Sequence, residues 1–397
     1  MGVVRMCLVL LALLISAGCA LAQSEDPSSQ AAPTALSSEE RAALEQRVAD
    51  LEAELAELKD LLLAIGSTPP QAATQSVAVV EEEEEDYPTS DYSGSAMLEY
   101  RHLFNEPGVN TGRIRRARVT FRGDLSDDTS YKMDVDGTGG ARDLLRDFYI
   151  RYNASDSSTW KIGQFKMPQG YAQMLSRMDQ PLPERPLVSE GATWNGADFF
   201  MLAADRHLGV QYQYEDDDGR NTVQAAIFGG AGRNTRDENS SKDFAIRYQY
   251  ADEDDRHQAA ISYRMGQQYD PTVAGNYLQT WGLEYRYHGH KHWLETEWMT
   301  GQARGNGALV GECGGYIQWI YWPDGTNRYA YWPSKGSGDE YWTLRLERIA
   351  RTANPGNRAS VAWLGYTRFL EDDWKAQLAF GYQRGEQRLY LTNYWKF

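Results

Sequence analysis

Cysteine is scarce: the 397 residues hold three, at positions 7, 19 and 313. Two of them lie in an N-terminal stretch built like an export signal. The mature chain then keeps Cys313 alone, so no disulfide framework can hold an exported fold together. Cys313 has no catalytic signature around it and reads as a loop residue. Long apolar runs are missing too. Beyond the N-terminus none approaches the ~18 residues of a membrane helix, which excludes a helical membrane protein. Basic charge is in deficit, with 40 Lys and Arg against 56 Asp and Glu. Nucleic acid is therefore a poor partner, because a phosphate backbone asks for a basic footprint. Aromatics are absent ahead of Tyr87, although the chain carries 12 Trp, 25 Tyr and 11 Phe. No Gly-x-Ser-x-Gly elbow occurs in Gly191–Gly196, which removes the usual signature of a serine hydrolase.

What is present falls into four segments. Arg5, an apolar stretch from Met6 to Ile15 and Ala20-Leu21-Ala22 form a secretory signal peptide over residues 1–22. A signal anchor, or a lipoprotein acylated at Cys19, is the alternative. Residues 23–66 are a polar lead-in followed by a helix. Leu44, Val48, Leu51, Leu55, Leu58, Leu62 and Ile65 alternate at spacings of four and three, an unbroken a/d seam. Ser37 and Ser38 cap its start, and Gly66 with Pro69-Pro70 ends it. A lone helix of this length is marginal, so the seam predicts self-association. Residues 67–94 form an acidic flexible linker around Glu81–Glu85 and Asp86, where like charges repel and stay solvated.

From residue 95 onward the hydrophobic period is two. Tyr131, Met133 and Val135 alternate with Lys132, Asp134 and Asp136, and Trp374 to Tyr382 shows the same pattern. Short acidic turns (Ser126–Thr129, Glu215–Gly219, Asp252–Asp255, Glu371–Asp373) alternate with longer loops at Gly229–Lys242, Gly266–Tyr277 and Gly301–Cys313. The chain ends on Trp395-Lys396-Phe397 after alternating Leu389 and Leu391. These features predict an all-β fold, a transmembrane antiparallel β-barrel over residues 95–397. Backbone in hydrocarbon must pair internally, so such a sheet has to close. Sixteen strands are expected, near 95–103, 113–123, 130–136, 145–152, 159–166, 206–214, 221–229, 243–250, 257–266, 278–287, 291–301, 314–321, 341–348, 359–368, 374–383 and 388–397. The stretch 322–340 is long for a periplasmic turn, and an extra hairpin there would make eighteen.

Arg115–Gly123, Leu145–Ile150, Ile162–Gly170 and Arg206–Gln211 are similar to motifs of the phosphate-selective porin family (porins O and P). The third, Gly163-Gln-Phe-Lys-Met-Pro-Gln-Gly170, is the most specific. The likeness is best over 113–215. It implies a trimeric sixteen-strand outer-membrane barrel with a pore in each subunit.

Charge cannot face lipid cheaply, so Arg116, Arg118, Arg122, Lys132, Asp134, Asp147, Arg151 and Arg247 are expected to line the pore. Charges that merely pair across strands are the competing reading. The connection 167–205 is expected to fold inward as a constriction, with Lys166, Arg177 and Arg185 as anion contacts. It holds two cations and five acids, a departure from the cationic constriction of phosphate-selective members. His288, His290 and His292 lie at alternate positions, but no carboxylate or cysteine stands beside them in the sequence, so no metal and no cofactor is expected. The predicted function is a passive outer-membrane porin for small hydrophilic solutes, mildly anion-preferring. Its partners would be outer-membrane lipid, two further copies in a homotrimer, and inorganic or organic solutes. A periplasmic tether built on the coiled coil, with the barrel as anchor, is the alternative, and an outer-membrane hydrolase a more distant one.

Overall fold

The computed structural model describes residues 87–397, apart from 105–109, 141–143, 191–201, 204, 231, 237–241, 267–276, 306–307, 327–330, 333–338 and 353–357. The signal peptide, the heptad seam from Leu44 to Ile65 and the acidic run lie outside the described residues.

Sixteen strands follow in chain order. The first eight are β1 (Asp91–Leu103), β2 (Asn110–Ser126), β3 (Thr129–Asp136), β4 (Leu145–Ser155), β5 (Ser158–Lys166), β6 (Arg206–Glu215), β7 (Asn221–Phe228) and β8 (Asp243–Ala251). The remainder are β9 (His257–Gly266), β10 (Tyr277–His288), β11 (His292–Gly305), β12 (Ala308–Tyr321), β13 (Glu340–Arg351), β14 (Arg358–Glu371), β15 (Trp374–Gln383) and β16 (Glu386–Lys396). Each strand pairs with its chain neighbours, and β1 pairs antiparallel with β16 to close the barrel. Sixteen strands, not eighteen, form the wall. The expected loop Gly301–Cys313 is a correction: β11 and β12 run through it as one long hairpin, and Cys313 lies within β12.

Alternation sorts the side chains into two faces. Along β13, Trp342, Leu344 and Leu346 are exposed, whereas Tyr341, Thr343, Arg345 and Glu347 are buried. The exposed apolar row continues around the wall through Ile150, Ile162, Val210, Ile227, Ile261, Leu364, Leu378 and Leu391. An outward greasy belt with a polar interior is the reverse of a soluble sandwich, and it matches hydrocarbon outside and water within. No helix among the described residues is long and apolar enough to cross a membrane; the strands do the crossing.

The start of β1 and the end of β16 lie side by side at one end of the barrel, here called the near end. Phe397 exchanges backbone hydrogen bonds with Gly94, at 2.5 and 3.0 Å. Its ring rests against Gly94, where a Cβ would come within 2.0 Å of it. Glycine is required there for the last residue to seal the seam.

Candidate functional site

The connection between β5 and β6 enters the barrel. Its described part carries two short helices, α1 (Tyr171–Met174) and α2 (Leu187–Glu190), around a 3-10 turn at Arg177–Asp179. Gly170 leads into α1 with φ of +75°, and a Cβ there would crowd Ala203 and Glu297. Leu182, Leu187, Val188 and Leu202 pack on Ile349, Val361, Trp363 and Tyr390 from the interior wall. Burying each of these aliphatic side chains contributes ~1.5–3 kcal/mol. That explains apolar residues on the inward face of β13 and β14, which a water-filled tube would not favour.

Polar contacts fix the loop to one side of the wall. Gln169 Nε2 donates to Thr280 Oγ1 at 2.6 Å, and the Ala172 and Leu187 amides donate to Glu297 and Glu347 at 3.1 and 2.7 Å. Arg345 and Lys375 donate to the carbonyls of Glu184 and Met178, at 2.8 and 2.6 Å. Each loop acid described here meets a cation. Glu184 pairs with Arg115 at 2.7 Å, Asp179 with Lys396 at 2.9 Å, Asp205 with Arg206 and Arg233 at 3.4 Å, and Glu190 with Arg177. The acid excess counted in the sequence is thus spent on docking. Burial works against ionisation of Glu184, but the guanidiniums of Arg115 and Arg177 outweigh it and hold the carboxyl down to about 2.

The loop's two described cations, and Lys166 at the end of β5, are also committed. Lys166 donates to the carbonyls of Met174 and Leu175 at 3.0 Å, and Arg185 to those of Ala172 and Leu175 at 3.0 and 2.8 Å. Arg177 bonds the Pro183 carbonyl at 3.2 Å. All three pin the loop's backbone.

The wall opposite carries the other charges. Arg118 bonds Asp134 at 2.9 Å and Asp136 at 3.4 Å, and Arg116 stands 3.7 Å from Asp136. Lys132 lies 3.5 Å from Asp147, which Arg206 grips with two bonds of 2.7 and 3.2 Å. Arg247 is paired with Glu284 at 2.7 Å. Arg122 and Arg151 are exposed towards the near end, with Arg122 bonded to Ser93. The structure therefore brings Arg116, Arg118, Lys132, Asp134 and Asp147 together and places Arg247 in a separate pair.

Two residues were missed for one reason. Met97 faces Arg116 while Leu98 faces Ile114, so Arg115 is an extra, bulged residue. Asp134 faces Asp147 while Val135 faces Leu145, so Arg146 is a second. Each bulge breaks the alternation and adds an arginine beside an inward-facing neighbour. The signal was legible: strict alternation would have sent one of two adjacent charged residues into lipid. Arg116 is consequently within electrostatic reach of Arg118, Arg146 and Arg177.

The three histidines of the β10–β11 turn diverge. His288 contacts Glu295 at 2.8 Å, His290 the Thr326 carbonyl, and His292 stacks on Trp319 and Tyr321. Here the sequence reading is corrected, since a carboxylate does sit beside His288. Among the described residues no three potential ligands gather for a metal.

Known structures share this architecture. An anion-selective porin from Comamonas acidovorans aligns with TM-score 0.58 at 12% identity, covering 78% of this chain and 100% of its own. OmpT of Vibrio cholerae in its trimer form gives 0.53 at 10%, covering 79% and 100%. The outer membrane channel DcaP of Acinetobacter baumannii gives 0.52 at 11%, covering 78% and 97%. At these identities the likeness concerns the fold. A search of curated proteins finds no match. The family model of phosphate-selective porin O and P matches residues 99–363, most of the closed barrel described above. With its charged interior and inward-folded loop, the chain belongs to that family of outer-membrane porins.

Proposed function

We propose that this porin is a passive channel for small hydrophilic solutes that favours anions, and that it catalyses no reaction. The observation that carries this reading is the asymmetry of the interior. The described part of loop 167–205 packs mainly on β10–β16, with Glu184 reaching Arg115 on β2, whereas Arg116, Arg118, Arg146 and Lys132 stand on β2–β4. A solute would run along that second wall. Arg116 is the strongest candidate for an anion contact, since its nearest carboxylate lies 3.7 Å away. Such contacts are screened in a wet lumen, which suits passage over capture. Lys166, Arg177 and Arg185 act in this reading by holding the loop.

The near end and the leader would face the periplasm, and the protein would work as a homotrimer. The trimer form of the Vibrio cholerae neighbour supports the latter. Purified protein in planar bilayers across a potassium chloride gradient tests the reading. Conductance steps with an anion-signed reversal potential are expected. Folded, heat-modifiable protein without steps would overturn the channel; a cation-signed potential would overturn the preference alone.

A further inference from the structure

The connection between β12 and β13 spans residues 322–339, whereas β2–β3, β4–β5 and β14–β15 are joined at the same end by two-residue turns. Of its described side chains, Asp324 is exposed on the rim, but Trp322 and Tyr331 are buried within the barrel wall. Tyr331 is 3% exposed and donates to Glu295, an inward-facing carboxylate on β11 that also accepts from Gln318 at 2.8 Å. The Tyr331 ring packs edge-on against Trp293, with centroids 5.3 Å apart. Trp322 packs on Tyr341 at 4.7 Å, and Trp332 on Phe369 at 5.8 Å. Trp332 Nε1 donates to the Asp372 carbonyl at 2.7 Å.

We infer that Trp322, Tyr331 and Trp332 form a second constriction, at the near mouth, that limits solute size independently of the charged wall. The inference rests on the channel reading above. A water-filled tube does not favour a dry cluster of large aromatics on its inner face, and this cluster comes from the one near-end connection long enough to reach inside. It is tied to the inward-folded loop at two points. The hydroxyls of Tyr171 and Tyr331 meet at 3.4 Å. Lys375 and Lys396 lie over the Trp332 ring at 4.9 and 4.2 Å, and the same two lysines hold Met178 and Asp179 of the loop. The two elements brace each other, so loosening the near one frees the other.

Single-channel conductance and liposome swelling with sugars of increasing size, on the full-length protein, test this. The Tyr331→Ala, Trp332→Ala double variant should conduct at least about 1.5-fold more than wild type and admit larger sugars. Its anion preference should be unchanged, because the arginine wall is untouched. Tyr331→Phe keeps the ring and removes only the donor to Glu295. It should fold, and should switch to a wider level more often than wild type. Wild-type conductance and size limit in Tyr331→Phe and in any folded double variant would overturn the inference while leaving the channel intact. Absence of steps in wild type would instead remove the channel reading itself.

Discussion

At the scale of single residues, arginine placement decides the chemistry of the interior. Arg116 and Arg118 share a face of β2, and two carboxylates, Asp134 and Asp136, answer them from β3. Arg118 bonds both acids, and Arg116, 3.7 Å from Asp136, is the more loosely held of the two cations. Replacing both with alanine leaves the two aspartates with no cationic partner from β2, although Thr120 still donates to Asp134. The ratio of anion to cation permeability should then fall roughly threefold or more, measured as a reversal potential in a salt gradient. Lysine at both positions should retain most of the preference, because the charge persists although the forked geometry is lost. An unchanged potential in the alanine variant would move the selecting charges elsewhere on the wall.

Among the elements, the inward-folded loop is the one whose position the charges control. Glu184 links it to Arg115 on β2, two strands round the closed wall from β16, whose Tyr390 belongs to the apolar cluster the loop packs on. Removing one partner of a buried pair costs about 3–5 kcal/mol, since the other charge is stranded. Here Glu99 shares Arg115, which softens the loss. Glu184→Gln should therefore leave the barrel folded and make the open channel noisier at neutral pH. The pH dependence follows from the depressed carboxyl. Its contribution is complete above the ordinary glutamate value of 4.5 and is lost as pH falls toward the native value of about 2. Wild-type current should be steady from neutral pH down to about 5 and grow noisier only within that lower window. The variant should show no such onset, because the titrating group is gone.

For the whole molecule, closure is the governing constraint. Every strand edge is paired once β1 meets β16, so no open edge faces hydrocarbon. The outer belt of Leu, Ile and aromatic side chains is an exposed apolar surface far larger than a soluble monomer carries. The protein should stay in the membrane fraction until detergent is added. It should migrate as a trimer in mild detergent and shift in mobility only after boiling. A monodisperse, detergent-free mature protein would contradict the barrel.

The strand pattern, the short acidic turns and the terminal aromatic were all legible in the chain, because period-two alternation is a local property. Sixteen segments could be counted for the same reason. Arg116, Arg118, Lys132, Asp134 and Asp147 could be named as inward-facing because burying charge in lipid is expensive at any position on a strand. The bulges at Arg115 and Arg146 left a signal, two adjacent charged residues that strict alternation cannot both keep out of lipid, but the register that places each bulge belongs to two strands together. Loop acids read as an anionic excess until their partners on distant strands were in view. The 322–339 connection looked like a strand pair or an oversized turn, and the burial of its Trp322 and Tyr331 depends on an interior that exists only after closure. Local periodicity thus determined the tube and the side of it that each residue faces. What fills the tube, and which charges are left for a solute, was decided by tertiary packing, because those contacts join residues far apart in sequence.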